Sequence, residues 1–201
     1  MNPQVYRRPN KPAVLEVKVR GGMIPPLTEL PVTVPEVHKD TECHVTPEVY
    51  GDVMVRVLGD VSGKRICEPE AGTGMLVHCL LKAGVMPVNI VAVELNNSLF
   101  QSLEKRFHGK SVTLKNECFL AYAESCEMFD SVVMNPPFRQ VNRHIDAAIK
   151  VLRSGGMLVA LVPVTFSRCG FDLVETLPDD VFAATKVNTK IVRYVKPKKA
   201  A

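Results

Sequence analysis

This sequence has no hydrophobic segment long enough to cross a lipid bilayer. Its apolar runs fall short of the roughly 18 residues that a membrane-spanning helix requires. The first residues, which end in the pair Arg7-Arg8, also lack the apolar core of a secretory signal. We therefore expect neither a secretory leader nor a membrane partner.

Cysteine pairs at metal-binding or redox spacing are also missing. The chain has 6 cysteines, and no two of them form a Cys-x-x-Cys motif. Cys43 and His44 are adjacent, but no second pair with ligand spacing accompanies them, so we expect no metal site. Three of the cysteines lie in or beside predicted core elements, where an unpaired thiol behaves as a small apolar residue. These features favour a reducing compartment and predict a cytoplasmic protein.

The net charge is modest but unevenly distributed. With 201 residues, 46% of them hydrophobic and 23% charged, the chain has the size and composition of one ordinary soluble domain. Its formal net charge is +4, and residues 181–201 contain lysine and arginine but no acidic residue. A basic end of this kind suits a phosphate backbone, and it suits a solubilising tail equally well.

The pattern of proline and hydrophobic residues divides the chain into an arm and a domain. Residues 1–42 are rich in proline and predict an extended N-terminal arm, in which residues 14–19 favour a strand. The domain, residues 43–201, begins with a helix predicted over residues 46–58. Thr46 is a suitable cap for this helix, and Pro47 is a suitable first helical residue. Three valines at helical spacing predict its buried face: Val49, Val53 and Val57.

Beyond this helix, strand-like and helix-like segments alternate. The predicted strands lie near residues 65–68, 89–94, 111–115, 129–134, 156–162 and 189–195. The predicted helices lie near residues 74–83, 97–107 and 142–152. This alternation predicts an α/β fold with a mostly parallel sheet that is covered by helices on both faces.

A glycine-containing loop follows the first strand of this series. Residues 68–74 read Glu-Pro-Glu-Ala-Gly-Thr-Gly and separate a strand from a helix, an arrangement in which the backbone can approach a nucleotide closely. The third glycine of the dinucleotide fingerprint is missing, since Val77 stands there. Glu68 and Glu70 suit a cationic amino-acid end far better than a pyrophosphate. The loop therefore disfavours NAD.

Glu94 ends the next apolar run, 20 residues beyond Gly74. An acidic residue at that distance from a glycine loop usually accepts hydrogen bonds from the ribose hydroxyls. A surface glutamate at a strand end is the alternative interpretation. The glycine loop at the appropriate distance favours the ribose contact.

The tetrapeptide at residues 135–138, Asn-Pro-Pro-Phe, directly follows a predicted buried strand. Two prolines cannot continue a central strand, so the tetrapeptide lies at the strand's carboxyl end, where ligands bind in open α/β sheets. The amide oxygen of Asn135 and the carbonyl of Pro136 offer two hydrogen-bond acceptors, and Phe138 offers an aromatic face. This combination suits a planar ring with an exocyclic amine, such as adenine. A plain Asn-Pro turn is the alternative.

In this order and at this spacing, the motifs resemble those of the class I S-adenosylmethionine-dependent methyltransferases, and among them the enzymes that modify adenine N6. The resemblance covers residues 43 to 197. It implies S-adenosylmethionine as the cofactor and a Rossmann-like, doubly wound, mostly parallel seven-stranded sheet with one antiparallel strand. The catalytic residues that it implies are Asn135, Pro136, Pro137 and Phe138. The cofactor-binding residues that it implies are Thr46, Pro47, Glu68, Glu70, Ala71, Gly72, Gly74, Glu94, Leu95, Cys118, Phe119 and Asn135.

Two features depart from the family pattern. Cys118 stands where an acidic residue or asparagine usually contacts the exocyclic amine of the cofactor, and a thiol is a weak acceptor. We expect Cys118 not to make this contact, or Asn116 or Glu117 to make it instead. The helix expected between Phe166 and the strand-like run at residues 171–175 is nearly absent. No separate target-recognition domain is evident, which leaves room for a partner subunit that recognises the target.

The resemblance implies methyl transfer to the N6 amine of adenine, with nucleic acid as the partner. Residues 177–195 resemble the DNA enzymes most, which favours DNA. RNA bases and protein glutamine stay open as substrates because the tetrapeptide serves them all, and a non-catalytic binding subunit that keeps the fold stays open too. Arg139, Arg143 and His144 follow the tetrapeptide, where they either contact the substrate backbone or form a solvated helix face.

Overall fold

A seven-stranded sheet flanked by helices makes up the domain. The structure, a computed structural model, describes residues 6–7, 14–15, 45–179, 181 and 187–198. The strands are β1 (Ile66–Glu68), β2 (Ile90–Val93), β3 (Thr113–Lys115), β4 (Phe129–Met134), β5 (Leu152–Pro163), β6 (Phe171–Thr176) and β7 (Thr189–Val195). The α-helices are α1 (Glu48–Val57), α2 (Met75–Lys82), α3 (Asn97–Arg106), α4 (Phe119–Ser125) and α5 (Val141–Val151). Short 3₁₀ turns lie at Pro87–Asn89 and Phe138–Gln140.

The strand order confirms the predicted fold class. The sheet runs β3-β2-β1-β4-β5-β7-β6. β7 is antiparallel to both of its neighbours, and the other adjacent pairs are parallel. The chain proceeds outward from β1 to β3 and then returns to β4 on the other side of β1. The strand order therefore reverses between β1 and β4, which is where ligands bind in sheets of this kind.

Successive side chains along the strands point to opposite faces of the sheet and pack into two separate hydrophobic cores. In β1, Ile66 belongs to the core that α1 and α2 cover, and the next residue, Cys67, belongs to the core that α4 and α5 cover. All residues of β1 and β2 are buried. Strands buried on both faces read as continuous apolar runs, which is why these segments were recognisable in the sequence.

Helix α1 begins and packs differently from its prediction. Its N-cap is Pro47 and its first residue is Glu48, so the predicted cap Thr46 lies outside the helix. The buried residues include Gly51 and Met54, whereas Val49 is 62% exposed. The glycine is the physical reason: a Cβ at Gly51 would lie 2.7 Å from the sulfur of Cys79, so the missing side chain lets α2 approach. The predicted valine face is therefore wrong at Val49.

Several element boundaries also differ from the sequence prediction. Helix α4 was not predicted, because its seven residues are too few to establish a helical period. Strand β3 is shorter than predicted, and β5 begins at Leu152, directly after α5. The described residues between β5 and β6 form no helix. The sequence predicted this, because the segment between Phe166 and the next strand is too short for one.

Most of the predicted N-terminal arm lies outside the described residues. Tyr6–Arg7 and Val14–Leu15 are two-residue strands that pair with each other in antiparallel fashion. The strand expected at residues 14–19 is thus described only at its first two positions, and the division between arm and domain stays a prediction. Cys43 and residues 182–186 are outside the described ranges as well.

Nothing in the described ranges forms a membrane-spanning helix. None of the described helices is both long and apolar enough, and α5, the longest of them, has 11 residues.

Gly74, in the glycine loop, lies against side chains at the end of α3. It is the N-cap of α2 and has a φ of 77°, in the left-handed region that favours glycine. A Cβ at this position would lie 2.6 Å from Cε2 of Phe107 and 2.7 Å from Cδ2 of Leu103. The end of α3 therefore fills the space beneath the loop, and any side chain at Gly74 would displace it.

We expect the substitution Gly74→Ala to destabilise the protein through two effects. The left-handed backbone costs about 1–2 kcal/mol for a residue with a Cβ, and overpacking costs about 1–3 kcal/mol more. The free energy of unfolding, measured by urea denaturation, should fall by the sum. Gly59 is a matched control, because its φ is 69° and a Cβ there would meet nothing within 4 Å beyond its chain neighbours. If Gly74→Ala and Gly59→Ala were equally destabilising, the packing argument would be wrong.

Candidate functional site at the carboxyl edge of the sheet

A cleft of about 930 Å³ opens at the carboxyl ends of the central strands. Glu68 is the last residue of β1, Glu94 directly follows β2, and Asn135 directly follows β4. All three line the cleft. Its volume is typical of a small-molecule site, and it lies at the point where the strand order reverses.

Main-chain hydrogen bonds fix the glycine loop against the end of β2. The N–H of Ala71 donates to the carbonyl of Val93 at 2.9 Å, and the N–H of Gly74 donates to the carbonyl of Ala71 at 2.7 Å. Gly72, like Gly74, has a positive φ, here 53°. The loop is thus a tight turn whose backbone forms part of the cleft wall.

The carboxylate of Glu94 holds the loop and the start of α3 together. One of its oxygens accepts a hydrogen bond from the N–H of Gly72, and the other accepts one from the N–H of Asn96, each at 2.7 Å. Asn96 in turn caps α3, because its side-chain oxygen accepts from the N–H groups of Ser98 and Leu99. Each carboxylate oxygen has a second lone pair, so Glu94 can still accept hydrogen bonds from a ligand.

The carboxyl groups of the buried Glu68 and Glu94 and of the half-buried Glu70 give the cleft an acidic wall. Burial raises the pKa of Glu94 above its usual range, although the backbone N–H groups of Asn96 and Gly72 partly offset the shift. Burial also raises the pKa of Glu68, and more strongly than that of Glu94. A hydrogen bond from the N–H of Val77 acts in the opposite direction and lowers this pKa. Such groups favour a ligand that brings positive charge.

Glu70 is paired with a histidine that the sequence did not single out as buried. Oε1 of Glu70 lies 2.5 Å from Nδ1 of His144, on α5. Burial raises the pKa of Glu70, and the histidine acts in the opposite direction. His144 is 7% exposed, so the solvated-face interpretation is wrong for this residue. Its spacing from the buried Ala148 and Val151 was the helical signal that could have placed it inside.

One oxygen of Glu68 and one of Glu70 are buried without a hydrogen-bond partner in the described part of the protein. A buried acceptor that stays unsatisfied is costly, more so if it is charged. Both residues line the cleft, so a bound cation or hydrogen-bond donor could satisfy them. The described ranges contain no cluster of three or more histidine, cysteine or acidic side chains that could hold a metal ion.

The segment before α4 forms the far wall of the cleft. Cys118 is the N-cap of α4 and lines the cleft together with Glu117. The side-chain N–H of Asn116 donates to the carbonyls of Glu94 at 2.8 Å and Leu95 at 3.3 Å, so its amide nitrogen serves to hold the main chain. Glu117, the other residue expected to stand in for Cys118 as an acceptor for the cofactor amine, has an exposed side chain.

Leu95 and Phe119 lie on the cleft wall in different environments. Leu95 is 67% exposed and offers an apolar surface to a ligand. Phe119 is buried in the core beneath α5, where its ring stacks on that of His144 with centroids 6.4 Å apart. Most of the Phe119 ring is thus occupied by packing.

The tetrapeptide leaves β4 and leads into the 3₁₀ turn before α5. Asn135 is half-buried, and its side-chain nitrogen donates to the hydroxyl of Thr46 at 3.1 Å. Pro136 is buried, and Phe138 begins the 3₁₀ turn. Asn135 and Pro137 line the cleft, whereas Pro136 and Phe138 lie beside it.

Exposed cationic side chains lie at the mouth of the cleft. Arg139 and Arg143 both line it and are exposed. The guanidinium of Arg143 donates to the side-chain oxygen of Gln140 at 2.8 Å. This edge could contact a phosphate group on a ligand that projects from the cleft.

The structure brings most of the predicted site residues to one cleft. Those that line it are Thr46, Glu68, Glu70, Ala71, Gly72, Glu94, Leu95, Cys118, Phe119, Asn135 and Pro137. Those that lie beside it are Pro47, Gly74, Pro136 and Phe138. The roles assigned to these residues stay predictions, but their convergence from separate strands is a property of the fold.

Comparison by sequence finds no relative. No family model matches the chain, and no curated protein matches it in sequence.

Comparison by structure finds proteins of one fold. The 23S rRNA methyltransferase ErmE is similar with a TM-score of 0.64 at 16% identity, over 76% of this chain and 69% of that one. A Listeria monocytogenes protein assigned to the class I S-adenosylmethionine-dependent methyltransferases gives 0.63 at 16% identity, over 83% and 64%. Magnesium protoporphyrin IX methyltransferase from Synechocystis PCC 6803, with S-adenosylmethionine bound, gives 0.57 at 14% identity, over 74% and 79%. The chain therefore has the fold of the class I S-adenosylmethionine-dependent methyltransferases.

Proposed function

We propose that this protein transfers a methyl group from S-adenosylmethionine to the N6 amine of adenine in a nucleic acid, with DNA as the first candidate. One observation carries the proposal: the glycine loop, Glu94 and Asn135 lie on the walls of a single cleft. A site for the methyl donor and a site that holds an amine must adjoin for a direct transfer. The methyltransferase fold of the structural neighbours supports the same reaction class.

The residues of the cleft fit S-adenosylmethionine, which would supply a methyl group on a positively charged sulfur. The unsatisfied buried oxygens of Glu68 and Glu70 fit its cationic groups. The remaining lone pairs of Glu94 would accept hydrogen bonds from the ribose hydroxyls. Leu95, the most exposed apolar residue on the wall, would cover one face of the adenine ring, and Glu117 or Cys118 would face its amine.

Asn135 and Pro136 would hold the amine that is methylated. An adenine amine is a poor nucleophile because its lone pair is delocalised into the ring. If the Asn135 side-chain oxygen and the Pro136 carbonyl each accept one amine hydrogen, the nitrogen becomes more tetrahedral and its lone pair becomes available. The same two acceptors stabilise the positive charge that develops on the nitrogen. After transfer, that nitrogen releases one proton to solvent.

Phe138 and the basic mouth would hold the rest of the substrate. A base in duplex DNA must leave the stack to reach such a cleft, which costs a few kcal/mol, and stacking on Phe138 would offset part of that cost. Arg139 and Arg143 would contact the adjoining phosphates. A partner subunit could add target recognition.

RNA is the second candidate substrate. The neighbour ErmE is a 23S rRNA methyltransferase, which favours an RNA base to the extent that a shared fold can. Single-stranded RNA would present an adenine without the cost of base flipping. A protein glutamine, or binding without catalysis, is distinguished from both by the experiment below.

We expect Asn135→Ala to abolish most methyl transfer while leaving cofactor affinity nearly unchanged. The interaction is made mainly in the transition state, so kcat should fall by roughly 100-fold or more. The measurement is incorporation of labelled methyl groups from S-adenosylmethionine into DNA, RNA and protein extract, with cofactor affinity measured by calorimetry.

Asn89→Ala is the control, since Asn89 precedes β2 at the opposite end of the sheet from the cleft. Equal incorporation by wild type and Asn135→Ala into every substrate would refute the catalytic role. If neither incorporates methyl groups but both bind the cofactor and DNA, the result favours the binding-subunit alternative over catalysis. Incorporation into protein alone would refute the nucleic-acid substrate and favour a protein acceptor, with glutamine as the candidate to be tested by peptide mass analysis.

A second prediction concerns the ribose contact of Glu94. We expect S-adenosylhomocysteine to bind wild type at least about 10-fold more tightly than its 2′,3′-dideoxy analogue, because a hydrogen bond to a charged group contributes about 1.5–3 kcal/mol. In Glu94→Gln the ratio of the two dissociation constants should fall towards one.

The ratio separates the two roles of Glu94. Removal of the loop hydrogen bond to Gly72 weakens both ligands alike, so it cancels from the ratio, whereas removal of the ribose hydrogen bonds does not. An analogue that binds wild type as tightly as the parent compound would show that Glu94 makes no ribose contact.

A third prediction concerns the buried Glu68 carboxyl. Its raised pKa means that the native state holds the proton more tightly than the unfolded chain, whose glutamates titrate near about 4.3. The resulting stabilisation is present below that value and is lost as the pH rises through the native pKa. Glutamine does not titrate, so Glu68→Gln should become more stable relative to wild type between pH 5 and pH 8.

Urea unfolding of the ligand-free protein at both pH values gives this difference. For each unit by which the native pKa of Glu68 is raised between pH 5 and pH 8, the free energy of unfolding of wild type should fall by about 1.4 kcal/mol relative to Glu68→Gln. Glu104→Gln is the matched control, because Glu104 is an exposed carboxylate on α3. A stability difference between Glu68→Gln and wild type that stays constant with pH would show that Glu68 is not an unfavourably buried acid.

A further inference from the structure

A hydrogen bond connects the tetrapeptide to the segment before α1. The side-chain nitrogen of Asn135 donates to the hydroxyl oxygen of Thr46 at 3.1 Å, across a sequence separation of 89 residues. Thr46 is 4% exposed, and both residues line the cleft. A threonine packed this tightly has little freedom to turn its hydroxyl away from the amide.

In the structure, the nitrogen end of the Asn135 amide faces Thr46. An asparagine side chain carries an acceptor oxygen and a donor nitrogen on the same planar carbon, so the bond that engages the nitrogen directs the oxygen to the other side. An acceptor in the cleft attracts the hydrogens of an amine. The same side chain turned by 180° would present its own N–H groups and would repel that amine.

We propose that Thr46 is a positioning residue, which orients the amide of Asn135 so that its oxygen is available to the amine substrate. This inference rests on the proposed function, because orientation matters only if Asn135 holds the acceptor of the methyl group. It assigns to the Thr46 side chain a role in the transfer step, in addition to any contact that the Thr46-Pro47 segment makes with the cofactor.

The sequence around Asn135 explains why a residue from a distant part of the chain, Thr46, orients its amide. Asn135 follows β4 directly and is followed by two prolines, neither of which has an N–H group. The chain beyond Asn135 thus offers no backbone donor at the next two positions. Thr46 comes from a distant part of the chain, just before α1, and supplies an oxygen that the sequence around Asn135 does not provide.

The first experiment compares Thr46→Val with Thr46→Ser. Valine has nearly the shape of threonine but no hydroxyl, and serine keeps the hydroxyl. We expect kcat for methyl transfer to fall by about 10-fold or more in Thr46→Val and to stay within about threefold of wild type in Thr46→Ser. The dissociation constant of S-adenosylmethionine should change little in either variant.

The division between kcat and cofactor affinity separates positioning from cofactor binding. If Thr46→Val weakens S-adenosylmethionine binding and leaves kcat intact at saturation, Thr46 is a cofactor contact and the inference is wrong. If Thr46→Ser loses as much activity as Thr46→Val, the methyl group rather than the hydroxyl matters, which also overturns it.

A double-mutant cycle tests whether Thr46 acts through Asn135. In the Asn135→Ala background there is no amide to orient, so adding Thr46→Val should reduce kcat by no more than about twofold. An effect as large as in the wild-type background would mean that Thr46 acts independently of Asn135, contrary to the inference.

An NMR measurement tests the contact without any activity. In protein labelled with ¹⁵N-asparagine, the side-chain amide signals of Asn135 are those that disappear in Asn135→Ala. We expect Thr46→Val to shift these signals and accelerate their exchange with water, and Thr46→Ser to preserve them. Wild type that methylates no substrate but shows this pattern would refute the proposed function while confirming the contact. Unchanged signals in Thr46→Val would refute the contact itself.

Discussion

The carboxylate of Glu94 is the interaction on which the rest of the site depends. It accepts hydrogen bonds from the loop residue Gly72 and from Asn96, the cap of α3, and the main chain beside it is held by the amide of Asn116. The glycine loop, the start of α3 and the segment before α4 therefore take their positions from the end of β2. Because β2 is buried on both faces, this anchor is rigid.

The acidic groups that suit a cationic ligand also destabilise the folded protein while no such ligand is bound. Glu68 and Glu94 are buried and Glu70 is half-buried, all on one cleft, and loss of solvation raises the pKa of each. Charged carboxylates in this position are unfavourable until something positive joins them, and the pairing of Glu70 with His144 relieves only one of the three. The two hydrophobic cores on either side of the sheet offset this cost. A cationic ligand would then stabilise the folded protein by satisfying the acidic wall.

The sequence predicted strands well where both of their faces are buried. It predicted helix faces poorly where a single residue decides the contact with a neighbouring helix. The central strands read as apolar runs because both of their faces are covered, and the fold class followed from their alternation with helices. Helix α1 was misjudged because the valine spacing is regular, whereas the contact with α2 is decided by the missing side chain at Gly51. His144 was misjudged because a polar residue beside two arginines resembles a solvated face, although its partner Glu70 lies 74 residues away.

By itself, the sequence determined the order of the motifs, the mostly parallel sheet and the position of Asn135 at the end of a strand. These follow from local chemistry: apolar runs, a glycine turn and two prolines that cannot continue a strand. Only the tertiary structure decided which side chains meet in the cleft. Thr46 reaches Asn135 because the segment before α1 lies beside the end of β4, and that adjacency depends on the order of the strands and the packing of the helices. A hydrogen bond between residues far apart in the chain leaves no periodic or compositional signal in a single sequence.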